Sequence, residues 1–429
     1  MDATLPAMGA VFWPVGSGDS TTIVVSDEVV VQIDLRDMEK ADSDDTPEAP
    51  VVDHLAEALP TDEDGTPVLS VFVLTHADKD HCLGFADLLD RVHIGELWAT
   101  PRLWREFEEA KDEELCADAK AFQAEAERRV EAVKKALAEG REPASGDRVV
   151  VIGYDTDHDK HAYDELPGKY KSGPGKTITV LDGQDCSDRF EAFIHAPFAD
   201  DCASARNETS VAMQVTLTDP SGASGRMLLF GDLAHATIMK IFNYSEAKKR
   251  EHRLKWDLML APHHCSKKVM FLPDAEGVDQ RQDDVLDAFE RHAGENPVIV
   301  SSSRVIPEKD EPCANPPHRK AADLYREMAD DFVCTMSWPD EAAPVPVVFA
   351  VDADGARLVR EETVELAAKA VETRPARRLA AVAAAATAVA SVIAASRSAK
   401  GSSGADRLHK AIQVGRQNTS PSEPIGFGR

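Results

Sequence analysis

Val71-Phe72-Val73-Leu74-Thr75-His76-Ala77-Asp78-Lys79-Asp80-His81 is an apolar run that opens into a dense set of metal-ligating side chains. Val71–Leu74 reads as a buried strand, because four apolar residues in a row suit an element covered on both faces. His76, Asp78, Asp80 and His81 then fall within six residues. Imidazole nitrogen and carboxylate oxygen both suit zinc, manganese or iron. A helix would scatter four such neighbours around its circumference, whereas a loop leaving a strand can turn them toward one point.

Three later clusters repeat the pattern of an apolar strand delivering polar groups. Asn207-Glu208-Thr209-Ser210 precedes the strand Val211–Leu217. Met227-Leu228-Leu229-Phe230 ends in Gly231-Asp232, and Trp256–Ala261 runs into Pro262-His263-His264-Cys265-Ser266. A carboxylate at a strand end, beside a glycine that lets other groups approach, suits a ligand shared by two metals. Core packing alone does not require strands that end in His or Asp.

Around these pieces the chain alternates strand and helix. Val11–Val15, Thr22–Val25 and Val29–Ile33 predict an antiparallel meander, with Gly16-Ser17-Gly18-Asp19-Ser20 as a turn. Asp34, at the end of the third strand, reads either as a carboxylate that orients a ligand histidine or as a strand-end cap. Val51–Leu59 predicts a short helix. Residues 103–140 are rich in Glu, Lys, Arg and Ala and predict a helical insertion beside the site. Glu125/Arg129 and Glu131/Lys135 stand there at i,i+4 spacing on a solvated face, and Gly140 suits the C-terminal end. Val298–Ser303 predicts another strand, Pro317-His318 leads into a helix, and Val347–Val359 predicts a closing hairpin.

Composition narrows the function classes. The 429 residues carry a formal net charge of −28, which opposes a broad nucleic-acid-binding face but leaves room for a local phosphate site. The seven cysteines are odd in number and contain no CxxC pair, which points to a reducing, cytoplasmic setting rather than a disulfide framework. The N-terminus shows no basic segment followed by an apolar run, so no signal peptide is expected. Residues 1–365 are expected to form one hydrolase domain. Residues 366–429 differ: basic residues dominate, and Leu379–Ala395 is mostly alanine. That segment reads as a helix that docks a protein partner, as a marginal membrane helix, or as a linker; at this length membrane association is the weaker expectation.

In order, Val15–Ser20, Ile33-Asp34, the His76–His81 loop, Asn207 with Ser210, Phe230-Gly231-Asp232, Pro262–Ser266, Ser301 and Pro317-His318 resemble the metallo-β-lactamase superfamily. Within it they are most similar to the metallohydrolase domain of ComEC-type proteins. The resemblance spans roughly residues 9–360. It implies an α/β fold, a four-layer αβ/βα sandwich, with two divalent metal ions, zinc or manganese, at one edge of the sheets. It further implies that His76 and Asp78 hold one ion, that Asp80, His81 and His263 hold the other, and that Asp232 bridges them. A hydroxide between the ions would attack the substrate. Asp80 would orient that water, and His264 or His318 would protonate the leaving group, touch phosphate, or serve structure alone. Three features depart from the family pattern: a third histidine for the first metal is not evident, Leu35-Arg36 follows Asp34, and Cys265 stands where glycine is usual. The activity implied is that of a phosphodiesterase or nuclease acting on nucleic acid. The alternatives are hydrolysis of a small ester, lactone or nucleotide, and a partner-activated or non-catalytic subunit.

Overall fold

A computed structural model describes residues 5–42, 46–108, 115–155, 161–201 and 206–360. The compact unit runs from Met1 to Val359. The alanine-rich and basic tail, with the partner-docking and membrane readings placed on it, lies outside the described residues. Among the described residues no helix is long and apolar enough to cross a membrane.

Strand residues of alternate parity feed different cores, and this builds the layers. In the first sheet Val71 and Val73 point into one apolar cluster, while Phe72 and Leu74 point into another. In the second sheet Leu258 and Leu260 share the cluster of Val71, and Met259 faces a third. Both sheets are thus buried on both faces, which explains their continuous apolar runs. The shared cluster fills the space between the sheets. The outer face of the first sheet is covered by Val51–Ala58, Phe85–Arg91 and Ala117–Ala138, through Leu55, Phe85 and Phe122. The outer face of the second is covered by His235–Ala247, Asp283–His292 and Arg319–Met328, through Phe242, Phe289 and Tyr325. Helix, sheet, sheet, helix is the αβ/βα sandwich expected from the sequence.

The predicted meander is present: Gly9–Phe12, Thr21–Val24 and Val30–Ile33 pair antiparallel in turn. Val30–Ile33 then pairs parallel with Val68–Val73, which pairs parallel with His93–Ala99. In the second sheet Ser224–Leu229, Trp256–Leu260 and Ala293–Ser301 are consecutive parallel neighbours. Asp34, the His76–His81 loop, Asp232, the His263-His264 pair and Ser301–Ser303 therefore all leave the carboxyl ends of parallel strands, where α/β sheets gather their functional groups. Val347–Asp352 and Gly355–Leu358 form the predicted closing hairpin.

The stretch 103–140 differs from expectation. It contains Arg102–Glu108 and Ala117–Ala138, with 109–114 outside the described residues. Ala117–Ala138 is a layer of the sandwich: Phe122, Ala126, Val130 and Val133 are fully buried in the outer core. Its charged residues are not all solvated. Arg129 pairs with Glu125 at 2.8 Å as predicted, but it is only 1% exposed. Its guanidinium donates to the carbonyls of Ile94, Gly95 and Arg148, tying the helix to the sheet. Glu131 pairs with Lys134 rather than Lys135.

Candidate metal centre

Asp34 sets the geometry of the first half of the site. Its residue has a left-handed backbone, φ 54°, and its N–H donates to Val73 O at 2.8 Å, so its carboxylate turns toward the neighbouring strand's exit loop. Oδ1 accepts the Thr75 N–H at 2.7 Å, and Oδ2 accepts the Thr75 hydroxyl at 2.6 Å and His81 Nδ1 at 2.7 Å. Asp34 is therefore an orienting carboxylate as well as a strand end. Because it accepts from Nδ1, it leaves the lone pair of His81 on Nε2.

His76 is fixed in the same way. Its Nδ1 lies 3.1 Å from Thr75 Oγ1 and 3.2 Å from Ser210 Oγ. Both hydroxyl protons are already committed, to Asp34 and to Asn207 O, so Nδ1 is the donor and Nε2 the lone pair. His264 Nδ1 faces Ser302 O at 3.1 Å, a group that can only accept. Three imidazoles thus present unprotonated Nε2 atoms to one region.

Asp232 stands at the centre of that region, and its two oxygens divide it. Oδ2 lies 3.8 Å from His76 Nε2 and 3.6 Å from His263 Nε2, while His76 Nε2 lies 3.6 Å from Asp78 Oδ2. Oδ1 lies 3.3 Å from both His81 Nε2 and His264 Nε2, and His264 Nε2 lies 3.5 Å from Asp80 Oδ2. Most of these gaps exceed ordinary hydrogen bonds. They match ligand atoms around a shared ion: two ligands each about 2.1 Å from one tetrahedral metal stand about 3.4 Å apart. His76 Nε2, His263 Nδ1 and Asp232 Oδ1 are buried and have no hydrogen-bond partner. Buried polar atoms are rarely left so, and two of these three face the centre. Asp19, His81, Asp232 and His264 are all buried, and each offers a ligand atom within 4.8 Å of the others. The donor set and its orphaned atoms fit divalent metal.

The resemblance grouped His263 with Asp80 and His81; in the structure His263 Nε2 lies on the Oδ2 side of Asp232, the side of His76, while His81 and His264 lie on the Oδ1 side. His264, expected in proton transfer or in contact with phosphate, stands with Asp80 and His81. His318 is not brought to the cluster by any of its hydrogen bonds. Its Nδ1 accepts from Lys267 N–H at 3.2 Å and its Nε2 donates to Ala314 O at 3.1 Å. Both nitrogens are used on backbone, so His318 braces the His263–Cys265 loop from behind. Asn207 donates to Asp232 Oδ2 at 3.1 Å. Asp19 was missed. It lies in the glycine-rich turn, with Oδ1 3.4 Å from His264 Nδ1, and its only sequence signal is a carboxylate at a strand entrance.

The second half of the site is bent into place by its backbone. Gly231 has φ 54°, and a Cβ there would stand 2.9 Å from Ser210 Cβ. His263, His264 and Cys265 follow one another at φ 49°, 53° and 64°. A left-handed backbone costs a non-glycine residue about 1–2 kcal/mol, and three in succession mark stored strain of the kind found at functional sites.

Charge is concentrated here. Burial would raise the Asp232 carboxyl, but His264, His263 and His81 hold it well below the usual range. Burial likewise opposes the charged forms of His81 and His264, and the Asp232 carboxylate outweighs it and holds both well above the ordinary imidazole value. Asp80 is buried but held down at about 2, chiefly by the hydrogen bond with His264. Burial would raise Asp78 too; His76 and then Arg206, which pairs with Asp78, hold it low. For His263 burial wins and its value falls. The carboxylates are thus kept anionic, the state in which they bind metal, and a bound cation would displace the proton they favour on His81 and His264.

The four-layer αβ/βα sandwich and the buried His/Asp group define the class: an α/β protein with a candidate metal centre. No family model and no curated protein matches the chain. Solved structures do match, among them the crystal structure of the metallo-β-lactamase MIM-1 from Novosphingobium pentaromativorans. That match has a TM-score of 0.27 and 12% identity, and it covers 60% of this chain and 76% of that chain.

Proposed function

We propose that this chain is a binuclear metal-dependent phosphodiesterase whose substrate class is nucleic acid. The observation that carries the reading is the division of Asp232, with one oxygen facing His76 and His263 and the other facing His81 and His264. His76, Asp78 and His263 would hold one divalent ion, zinc or manganese, and Asp80, His81 and His264 the other, with Asp19 beside the second. When bound, such a pair supplies Lewis acidity toward a phosphoryl oxygen and water activated at neutral pH.

The chain's own residues do the rest. Asp34, Thr75, Ser210 and Ser302 O fix three imidazole rings so that no rotation accompanies the reaction. Arg206 on Asp78 and Lys268 beside His263 place positive charge at the rim, which favours an anionic substrate over a neutral ester.

The test is hydrolysis of bis(p-nitrophenyl) phosphate, single- and double-stranded DNA, and RNA with added manganese or zinc, wild type against His81→Ala. The expected result is activity that falls about 10³-fold or more in the variant. Wild-type protein shown by elemental analysis to carry metal, yet inert toward all four, would sink the reading and leave a neutral ester or a missing partner.

A further inference from the structure

Two residues past Asp34, the backbone of Arg36 bridges to Leu83, just beyond the ligand loop. Its stem lies over Gly18. A Cβ on Gly18 would meet Arg36 Cδ and Asp80 O, each at 2.5 Å, so glycine there makes room for the arginine beside Asp80. The guanidinium is poorly satisfied. Nη2 faces only the Met38 sulfur at 3.4 Å, and Nε is buried with no partner. Asp80 and Glu48 are its acidic neighbours, but among the described residues neither forms an ion pair with it: Glu48 Oε1 is turned to Lys40, and Asp80 Oδ2 faces His264. A half-buried arginine with no hydrogen-bonded carboxylate is unusual, because its fixed donors are left wanting an acceptor.

A second guanidinium stands nearby. The Ser302 hydroxyl donates to Gly18 O at 2.7 Å, holding the loop that carries Arg304 against the same glycine. Arg304 is exposed, makes no ion pair among the described residues, and adds positive charge to the surroundings of Arg36. Two like charges therefore converge around Gly18, next to the Asp80 side of the metal centre, with no carboxylate hydrogen-bonded to either guanidinium among the described residues. Arginine pairs with open forks match phosphate, which accepts bidentate hydrogen bonds.

We propose that Arg36 and Arg304 form a phosphate subsite that takes the phosphate next to the scissile one. The preferred substrate is then an oligonucleotide rather than an isolated diester. The proposal rests on the phosphodiesterase reading for the scissile group, but the subsite itself does not need turnover. It also accounts for how a chain of charge −28 draws in a polyanion: the attraction is local and short in range.

The test uses the full chain with its metals and a ligand it cannot cleave, a thymidine dinucleotide joined by a neutral methylphosphonate. Dissociation constants are compared for the dinucleotide alone and with one added phosphate, at the 5′ or the 3′ end. One of the two phosphorylated forms is expected to bind wild type about 10-fold more tightly than the plain dinucleotide, with a gain that shrinks with salt. Arg36→Gln should bring that ratio to within about 2-fold of unity, Arg36→Lys should keep part of it, and the exposed Arg304→Gln should lower it about 3-fold. No preference in wild type, or a preference that survives both Gln substitutions, overturns the subsite. Hydrolysis of bis(p-nitrophenyl) phosphate, which has one phosphate, is followed alongside. Inertness of metal-carrying wild type toward it and toward DNA and RNA would remove the phosphodiesterase reading, while a phosphate preference lost in Arg36→Gln would still establish the subsite.

Discussion

The two halves of the centre are held by different means. On the first sheet His76 and His81 sit in a relaxed loop, and their rings are fixed by hydrogen bonds that their Nδ1 atoms donate to Thr75, Ser210 and Asp34. On the second sheet His263 and His264 sit on left-handed backbone, and His263 Nδ1 has no partner at all. The first half is organised by hydrogen bonding to its side chains; the second adds strain in its main chain, with the His264 ring held by Ser302 O and the His263 ring by no hydrogen bond at Nδ1. Ring orientation is therefore robust on the first side, whereas on the second that of His263 depends on the packing behind the loop, including the His318 brace. Asp232 joins the halves, and its own N–H is tied to Ser210 at 3.2 Å.

The sharpest way to break the comparison is to remove the joint. Asp232→Asn keeps shape but gives one side a donor in place of an acceptor and halves the ligand's value to two cations. Metal content is expected to fall from about two ions to one or fewer per chain, with hydrolysis down about 10³-fold or more. Elemental analysis that still finds two tightly held ions in the variant would mean that the halves are independent.

A second contrast lies within the first sheet. Asp34 is a buried carboxylate with three donors, but Glu96, on His93–Ala99, has one, Trp98 Nε1 at 2.7 Å. Burial first, and Asp182 in addition, push the Glu96 carboxyl up to about 7 from 4.5, against the Trp98 hydrogen bond and two arginines. The folded chain therefore keeps a proton that the unfolded chain has lost. The stability this provides is complete below pH 4.5 and is lost as pH rises through 7. Glu96→Gln keeps the acceptor for Trp98 and removes the titration. Relative to wild type it should gain about 3 kcal/mol between acid and pH 8 in denaturant titrations. A flat difference across that range would show that Glu96 is as well paired as Asp34.

How much of this was legible beforehand depended on the same distinction. Regular strands ending in His or Asp announce themselves, because apolar runs buried on both faces stand out from polar loops. The strands, the His76–His81 loop and Asp232 at a strand end were accordingly readable, while the layering came from the family resemblance. Which of two adjacent histidines faces which neighbour was not, because it is decided by three successive positive φ angles that residue type does not encode. Cys265 hid this further, since glycine is the usual signal of left-handed backbone. Asp19 and Arg36 were also hidden, because each reaches the site from a turn or strand end whose side-chain direction emerges only when Gly18 is packed against Asp80. Arg129 was misread because helical spacing cannot tell a solvated arginine from one that caps a sheet.

Asp34→Asn sharpens the hydrogen-bonded side. The new amide would place N–H groups against Thr75 Oγ1 and His81 Nδ1, both of which now donate to it. His81 is then expected to move its proton to Nε2 and lose the lone pair aimed at Asp232. Apparent metal affinity and activity should fall about 10–100-fold, with little change in fold. Competition with a chelating dye measures this; an unchanged affinity would show that His81 does not need its orienting carboxylate.

The smallest effect concerns the strained side, and its sign carries the information. Cys265 is fully buried against the outer core of the second sheet at φ 64°. Cys265→Ala keeps the strain and loses the sulfur's burial, at a cost of about 1 kcal/mol. Cys265→Gly loses the same atoms and a methyl group and adds freedom to the unfolded chain, which together ordinarily make glycine about 0.5–1 kcal/mol worse than alanine. Here it also relieves about 1 kcal/mol of left-handed strain. The glycine variant should therefore be at least as stable as the alanine variant in paired denaturant titrations, reversing the ordinary order. If alanine is the better of the two by its ordinary margin, the backbone at 265 stores nothing. His263 and His264 would then be held by packing alone, and the two halves of the centre would differ in degree rather than in kind.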